Sequence, residues 1–425
     1  MTVRLLAALL LLCAFTTVSC GGAGSGQSVT VLGSWTGAEG DAFRAVLAGF
    51  EKSTGIHVDY TGTRDARAIL ASELHDGTPP DTAVLATPGD LRIYAAAGEL
   101  APVGGAQQGI GGDLTGAAGP DGVRRPYGIV VKAAVKGLVW YAPRSLPAAT
   151  RARLAQPIAS FDDLAKIASG AAAKPWCLGL EDTSNSGWPG TDWIEDVVLH
   201  ESGAGVYDQW VSGNLAWTSD PIRNAWQTFG TVVAGTRSGT DAVLLTGYGK
   251  AGAPMFADPP GCLFDHEASF ITAFYGQAPG RPQAGRDYDF VPFPGGRAVE
   301  IGGDLLGMFR ATPAARKLVA YLTTAKAQET WIERPGSGAF SLNRSVPPSV
   351  YPDPLSRRIA QTLASAATVR FDASDSMPTV MAAAFDHAVL EYVSDPTAQR
   401  LDRILRSLDQ VRCTTGTGTV PPQDC

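Results

Sequence analysis

Residues 28–87 alternate between short apolar runs and amphipathic stretches, and this alternation constrains the fold more than any other feature of the chain. The runs SVTVLG, IHVDY and DTAVLAT have the length and composition of buried strands. After the first run, four apolar residues recur at the spacing of one helix face: Phe43, Val46, Leu47 and Phe50. Gly55 marks the end of that helix, and ARAILASELHDG predicts a second one. This order predicts an α/β unit with a mainly parallel sheet and a ligand crevice at the carboxyl ends of its strands.

The rest of the chain is predicted to form a second lobe and to return to the first. Residues 127–146 are rich in Val and aromatics without a helical period, so we expect extended chain that makes the first crossing between lobes. The later segments are predicted as follows: mainly helix at 150–285 with loops at 183–191 and 254–262, strands returning to the first lobe at 288–296 and 299–309, one helix at 313–333, another crossing at 334–346, and helices at 354–412. The predicted units are lobe 1 (29–138 with 288–334), lobe 2 (139–287 with 335–412) and a C-terminal tail (413–425).

The N-terminus has the pattern of a secretory signal peptide. Residues 4–20 combine one arginine, an apolar run of about a dozen residues and small residues before Cys20, and the run is too short for a membrane span. The ending TVSC resembles the lipobox of bacterial lipoproteins, so residues 1–20 are predicted as a signal and Cys20 as a lipidated N-terminus. The alternative is ordinary cleavage with Cys20 incidental. Residues 21–28 suit a flexible tether, and the mature protein is expected on the outer face of the cell membrane.

Composition narrows the class of protein. Removing 20 signal residues from 425 leaves 405, which predicts two or three domains. The net charge of −7 and the small charged fraction of 18% disfavour a nucleic-acid partner. Four cysteines follow Cys20, and an even number in an exported protein suggests two disulfides with three possible pairings. We predict Cys177 with Cys262, which follow two proline-containing turns of the second lobe, and Cys413 with Cys425 across the terminal loop.

Several blocks, taken in order, resemble one family. FEKSTGIHVDY after VLGSWTGAEGDAF, then PDTAVLATPGDLRIYAAAGELAPV, GLVWYAP, GWPGTDW and SGAF are similar to the maltose-binding-protein group of extracellular solute-binding proteins. GWPGTDW looks most like binders of α-glucosides and similar oligosaccharides. The resemblance implies a periplasmic-binding-protein-like fold of two α/β lobes, joined by a hinge with several chain crossings and closing on a sugar. It also implies an ATP-driven (ABC-type) importer as partner, a monomer and no cofactor.

Sugar binding directs attention to aromatic and polar residues in loops, because sugars offer flat C–H faces ringed by hydroxyls. In GWPGTDW, Trp188 is predicted to stack on ligand, with a packed loop anchor as the alternative, and Trp193 is balanced between ligand and core. Asp192 is favoured as a helix N-cap, because Glu195 three residues later completes a capping box.

Other candidates follow the predicted strands. Trp35, Thr36 and Gly37 come after the first strand, with lobe packing as their alternative. Arg64 and Asp65 follow the second strand and either bind hydroxyls or pair with each other. Asp90 is a ligand candidate or an N-cap, and Asp304 follows small residues that allow close approach of a ligand. The remaining candidates are Ser337 and Phe340 in the predicted crossing at 334–346, Trp331 at the end of the preceding helix, and Glu267, which is as well explained as a buried structural carboxylate.

Two other function classes fit parts of this pattern. A secreted glycoside hydrolase would also carry tryptophans and carboxylates. The sequence contains no G-x-S-x-G, H-E-x-x-H or P-loop motif, and its five histidines have no metal-ligand spacing, so a binding protein is preferred to an enzyme. The same fold binding a polyamine, an iron chelate or a phosphodiester is the second alternative.

Overall fold

The computed structural model describes residues 27–104, 114–172, 174–236 and 239–415. Its strands, numbered in chain order, are β1 (Ser28–Gly33), β2 (His57–Gly62), β3 (Thr82–Leu85), β4 (Gly116–Ala118), β5 (Arg124–Pro126), β6 (Gly128–Val135), β7 (Leu138–Tyr141), β8 (Phe264–Glu267), β9 (Asp289–Pro292), β10 (Ala298–Met308) and β11 (Thr368–Phe371).

The helices are numbered in the same way. They are α1 (Gly37–Thr54), α2 (Ala66–His75), α3 (Pro88–Ala97), α4 (Ala148–Leu154), α5 (Phe161–Ala171), α6 (Trp188–Val197), α7 (Ala204–Val211), α8 (Asp220–Ala234), α9 (Gly239–Leu245), α10 (Tyr248–Ala251), α11 (Thr272–Tyr275), α12 (Pro313–Leu322), α13 (Ala325–Ile332), α14 (Pro354–Ala364), α15 (Ala373–Ser376), α16 (Thr379–Ser394) and α17 (Ala398–Thr415). Within the described ranges, none of these helices combines the length and apolarity needed to cross a bilayer.

Lobe 1 is built on a six-stranded sheet in the order β11-β10-β3-β1-β2, with β6 also pairing with β10. The pairs β1–β2, β1–β3 and β10–β11 are parallel, whereas β10 runs antiparallel to β3 and β6. The predicted alternation of strands and helices at 28–87 is therefore confirmed. Gly55 ends α1 as predicted, because it adopts the left-handed φ of 70° that glycine tolerates without strain.

Lobe 2 combines an antiparallel three-stranded sheet, β8-β7-β9, with a large helical core. Residues 127–146 are extended as predicted, since β6 belongs to the lobe 1 sheet and β7 to the lobe 2 sheet. The prediction that 288–296 returns to lobe 1 is wrong. The strand β9 pairs with β7 instead, which places Phe290 opposite Trp140, and the two rings lie 5.5 Å apart. The chain returns to lobe 1 only at β10.

Two further segment predictions differ from the structure. The helix predicted at 313–333 divides into α12 and α13, because the Thr324 side chain accepts the Ala327 N–H and starts a new helix. The region 354–412 is mainly helical but includes β11, which extends the edge of the lobe 1 sheet alongside β10. A short strand of this kind is fixed by its partner across space, so local sequence gives little sign of it.

The disulfide prediction is confirmed for one pair. Cys177 and Cys262 are bonded with a Cα–Cα distance of 5.3 Å, and they are 85 positions apart in the chain. Cys413 is also disulfide-bonded. Its predicted partner Cys425 and the predicted lipid site Cys20 lie outside the described residues, so both of those assignments stay predictions.

Candidate functional site: an aromatic and acidic cleft

The candidate site consists of two adjoining cavities between the two lobes. The larger has a volume of about 1150 Å³ and the smaller about 760 Å³. The two cavities share five lining residues and therefore form one continuous cleft. The shared residues are Arg64, Ala86, Trp188, Ser374 and Asp375. A cleft of this size can enclose a ligand of several linked rings.

One wall of the larger cavity is aromatic. Four half-buried rings of lobe 2 line it: Trp188, Tyr248, Phe270 and Phe274. The Trp188 ring centroid lies 4.9 Å from that of Tyr248 and 5.9 Å from that of Phe270, both edge-to-face. The Trp188 Nε1–H donates to Asp182 Oδ2 at 2.9 Å, which fixes the ring edge. This wall is a partly exposed apolar surface that a flat ligand face can cover.

The stretch GWPGTDW is helical rather than a loop, which corrects the prediction. Helix α6 begins at Trp188, with proline at its second position and Gly187 as its N-cap at a φ of 117°. The first turn of a helix accepts proline because its missing N–H would have no helical partner there. Only glycine fits before it, since a Cβ on Gly187 would lie 2.3 Å from the Asp386 carbonyl oxygen. The predicted N-cap role of Asp192 is therefore wrong, because this residue lies in the second turn of α6.

The opposite wall carries charged groups of lobe 1. Asp304 lies on β10 and accepts the Trp35 Nε1–H at 3.2 Å. Burial raises the pKa of Asp304 to about 6, against the opposing effect of Lys132. Glu39 bonds Lys132 at 2.6 Å and lies 3.5 Å from Arg64. Arg64 thus pairs with Glu39, and the predicted alternative that it pairs with Asp65 is wrong.

Five predicted ligand residues line the cleft through its larger cavity: Arg64, Trp188, Asp304, Ser337 and Phe340. Phe340 is held by two backbone hydrogen bonds with Ala133 at 2.9 and 3.0 Å and stacks on Tyr351 at 5.2 Å. Asp90 lines the smaller cavity and pairs with Arg67. Its alternative role as N-cap is wrong, because Thr87 caps α3 and accepts the Asp90 N–H.

The structure contradicts a direct ligand role for two tryptophans. Trp35 is 2% exposed and packs edge-to-face against Phe43 and Trp331, so it belongs to the lobe 1 core, as does Trp331 itself. Trp193 is fully buried and stacks on His266 at 4.2 Å inside lobe 2. Large apolar rings in these positions are removed from solvent whether or not a ligand is present.

The remaining candidates do not line the cleft. Thr36 and Gly37 form the start of α1, and Asp65 is exposed at the start of α2. Glu267 is 3% exposed on β8, and burial raises its pKa well above the ordinary value, which agrees with the structural alternative.

A buried charge cluster borders the larger cavity and was not predicted from the sequence. Lys136 Nζ donates to Asp192 Oδ1 at 2.7 Å and to Asp372 Oδ2. Four carboxylates lie within 4.8 Å of one another: Asp192, Glu195, Glu300 and Asp372. Such a group has the ligand atoms for a cation, but the Lys136 ammonium already supplies positive charge to it. The sequence signal was a lysine between the two apolar runs that form β6 and β7, four residues after Lys132.

Burial and mutual repulsion set the protonation of this cluster. Burial and the neighbouring carboxylates raise the pKa values of Glu195 and Glu300 well above the ordinary range. Burial also raises the pKa of Asp192 to about 7, against the pull of Lys136. Burial acts in the same direction on Asp372, but Lys136 holds its pKa below the ordinary value. Within the cluster, the glutamates therefore retain a proton to higher pH than Asp372, which forms the ion pair with Lys136.

Comparisons with known proteins agree with this architecture. The family described as bacterial extracellular solute-binding proteins matches residues 45–356. The alpha-glucosides-binding periplasmic protein AglE of Rhizobium meliloti is 31% identical over 87% of this chain and 84% of its own length. The osmoprotective compounds-binding protein GgtB of Synechocystis is 32% identical over 90% of this chain and 92% of its own.

Solved structures confirm the two-lobe α/β fold. The bacterial solute receptor AcbH, described as preferring β-D-galactopyranose, superimposes with a TM-score of 0.72 at 17% identity, covering 91% of this chain and 99% of that one. The sugar-binding protein MalE of Xanthomonas citri gives a TM-score of 0.68 at 15% identity, covering 92% and 98%. At these identities the likeness concerns the fold alone.

Proposed function

Because the chain belongs to the family of bacterial extracellular solute-binding proteins, we propose that it captures a carbohydrate and delivers it to an ATP-driven importer. The ligand class is an α-glucoside or a similar oligosaccharide, held between the two lobes. The similarity to an alpha-glucosides-binding protein over most of both chains supports this class. The protein acts by binding and release and carries out no reaction on the sugar.

One observation carries the proposal: the half-buried ring of Trp188 and its aromatic neighbours line the same cavity as acidic and basic groups. A sugar needs both surfaces, because its C–H faces pack on rings while its hydroxyls bond to charged groups. Trp188 is assigned to stacking, and Asp304 and Arg64 to hydroxyl binding. Trp35 does not contact the ligand itself. Its indole N–H orients the Asp304 carboxylate.

Closure of the lobes explains why an aromatic wall is left partly exposed. A ligand that contacts both lobes binds the closed form more tightly than the open form and so shifts the balance between them. The energy of covering the rings then contributes to ligand affinity. The same rings would contribute to folding if they were buried in the empty protein, as Trp193 is.

The placement of the protein follows from the N-terminal pattern. We assign Cys20 as a lipid anchor on the outer face of the cell membrane and the importer's membrane subunits as the protein partner, with the receptor acting as a monomer. Two or more acyl chains give stable anchoring where one gives marginal binding. The proposed lobes keep the boundaries given above, except that residues 288–297 belong to lobe 2, because β9 pairs with β7.

A panel of ligands tests the proposed class. Maltose, maltotriose, trehalose, sucrose and galactose, with small osmoprotectants and a polyamine as controls, are added to the mature protein during thermal unfolding. A ligand present at 100 times its Kd stabilises the folded state by about 2.7 kcal/mol. Stabilisation by the polyamine alone would refute the carbohydrate assignment, and product formation from a glucoside would indicate an enzyme.

Replacement of the stacking ring tests the site. Trp188→Ala should weaken binding of the best sugar at least tenfold, because stacking contributes about 0.5–1.5 kcal/mol beyond the apolar area that the ring buries. The matched control is Leu245→Ala, which removes an apolar side chain that is 81% exposed on lobe 2 and should leave the affinity unchanged. Calorimetric titration gives both affinities. Equal affinity of Trp188→Ala and the unmodified protein would end the stacking assignment.

A further inference from the structure

Several passages of the chain between the lobes meet helix α6 at one buried ammonium. Lys136 lies in the two-residue connection from β6 to β7, the first passage from the lobe 1 sheet to the lobe 2 sheet. Glu300 lies near the start of β10, and Asp372 follows β11 directly, so each belongs to a later passage. Asp192 and Glu195 come from α6. The connections between the lobes and the helix that begins at Trp188 are therefore joined electrostatically.

The contacts of this ammonium lead to Trp188. Asp192, which Lys136 bonds at 2.7 Å, lies four residues after Trp188 in α6 and so on the same helix face. Lys136 Nζ itself lies 5.7 Å from the centroid of the Trp188 ring, within the range of a cation–π contact. Both residues line the larger cavity. The Lys136 ammonium also donates to the carboxylate of Asp372, which follows β11 in a later passage between the lobes.

We propose that Lys136 is a positioning residue for ligand binding: anchored to the hinge by Asp372, it fixes the first turns of α6 through Asp192 and holds the Trp188 ring in place. This inference rests on the proposed function, in which Trp188 stacks on the sugar. A ring that is already fixed loses less freedom when ligand arrives, which strengthens binding. A movement of the hinge at Lys136 would thereby change how firmly the Trp188 ring is held.

A double-mutant cycle tests the link between the two residues. We expect Lys136→Met to weaken binding of the best sugar in the panel by about threefold to tenfold, the effect of freeing one side chain. In a protein that already carries Trp188→Ala, the same substitution should cause no further loss, because the ring it positions is gone. Equal losses in both backgrounds would show that Lys136 acts independently of Trp188 and would overturn the proposal.

A second variant separates positioning from folding. Lys136→Met leaves buried carboxylates without their cation and lowers the melting temperature. Adding Asp372→Asn removes the carboxylate charge that Lys136 compensates, so the melting temperature should recover while the affinity stays weak. If affinity recovers together with the melting temperature, Lys136 has a purely structural role and the proposal fails.

A measurement without ligand distinguishes failure of this proposal from failure of the proposed function. Amide hydrogen exchange in α6 should speed up in Lys136→Met but not in Lys132→Met, which removes a neighbouring cleft lysine that is paired with Glu39 on lobe 1. If no sugar binds and α6 exchange still responds to Lys136, the ligand class is wrong and the positioning link stands. If α6 exchange is the same in both variants, the link itself is refuted.

Discussion

Replacing Asp304 by asparagine should stabilise the empty protein at alkaline pH while weakening ligand binding. Burial raises the pKa of Asp304 from 3.8 to about 6 in the folded protein. The folded state therefore holds this proton more tightly than the unfolded chain. Ionisation lowers stability progressively as pH rises from about 4 to about 6, and the loss is complete above that range. At about 1.4 kcal/mol per pH unit, the cost above pH 7 is about 3 kcal/mol.

Asparagine removes the titration and keeps the geometry, because its side-chain oxygen can still accept the Trp35 Nε1–H. Urea unfolding should show Asp304→Asn more stable than the unmodified protein by up to about 3 kcal/mol at pH 8 and by less than about 1 kcal/mol at pH 4. Sugar affinity should fall about tenfold, since hydrogen bonds to a charged acceptor are stronger than those to an amide. The control is Asp59→Asn, an exposed aspartate of β2. Destabilisation at pH 8, or an equal effect at both pH values, would refute the reasoning.

Three further outcomes can be checked with standard methods. Replacing both Cys177 and Cys262 by serine should lower the free energy of unfolding by about 4–5 kcal/mol in the chain-entropy description, measured by urea unfolding. No change would show that the cross-link restricts the unfolded chain little. Cys20→Ala should move the protein from the membrane fraction to the medium, and retention would place the anchor elsewhere. Gly187→Ala should lower both sugar affinity and melting temperature, because its Cβ would collide with the Asp386 carbonyl; a normal crystal structure and affinity would contradict this.

Local periodicity predicted the helices and strands whose pattern lies within their own segment. It did not predict which strands pair, because residues far away in the chain determine the pairing. The repeat of apolar residues in α1 is a property of the segment itself, so the strand and helix order at 28–87 could be read directly. The strand β9 was predicted as a strand but assigned to the wrong sheet, and β11 was missed. Each has four residues, and pairing with β7 and with β10 decides the sheet to which it belongs. No short window of sequence contains that information.

The candidate site shows the same division. Trp188 was identified because glycine and proline lie beside it, a pattern that is typical of a loop. In the structure these residues begin a helix instead. Trp193, five residues later, points about 140° away around that helix and enters the core, a distinction that requires the helix to be known. Asp192 could not be recognised as an ion-pair partner, because Lys136 is 56 residues away in the chain.

The buried carboxyls also determine how many protons the protein carries. The formal net charge of −7 at pH 7 counts every carboxyl as ionised. Burial raises the pKa values of Glu195, Glu267 and Glu300 well above their ordinary range, and each of these groups that keeps its proton makes the folded protein one charge less negative. Unfolding exposes the groups to water, and they then release those protons. Between the unfolded and the folded pKa values of these groups, unfolding should consequently acidify a weakly buffered solution and make the chain more negative.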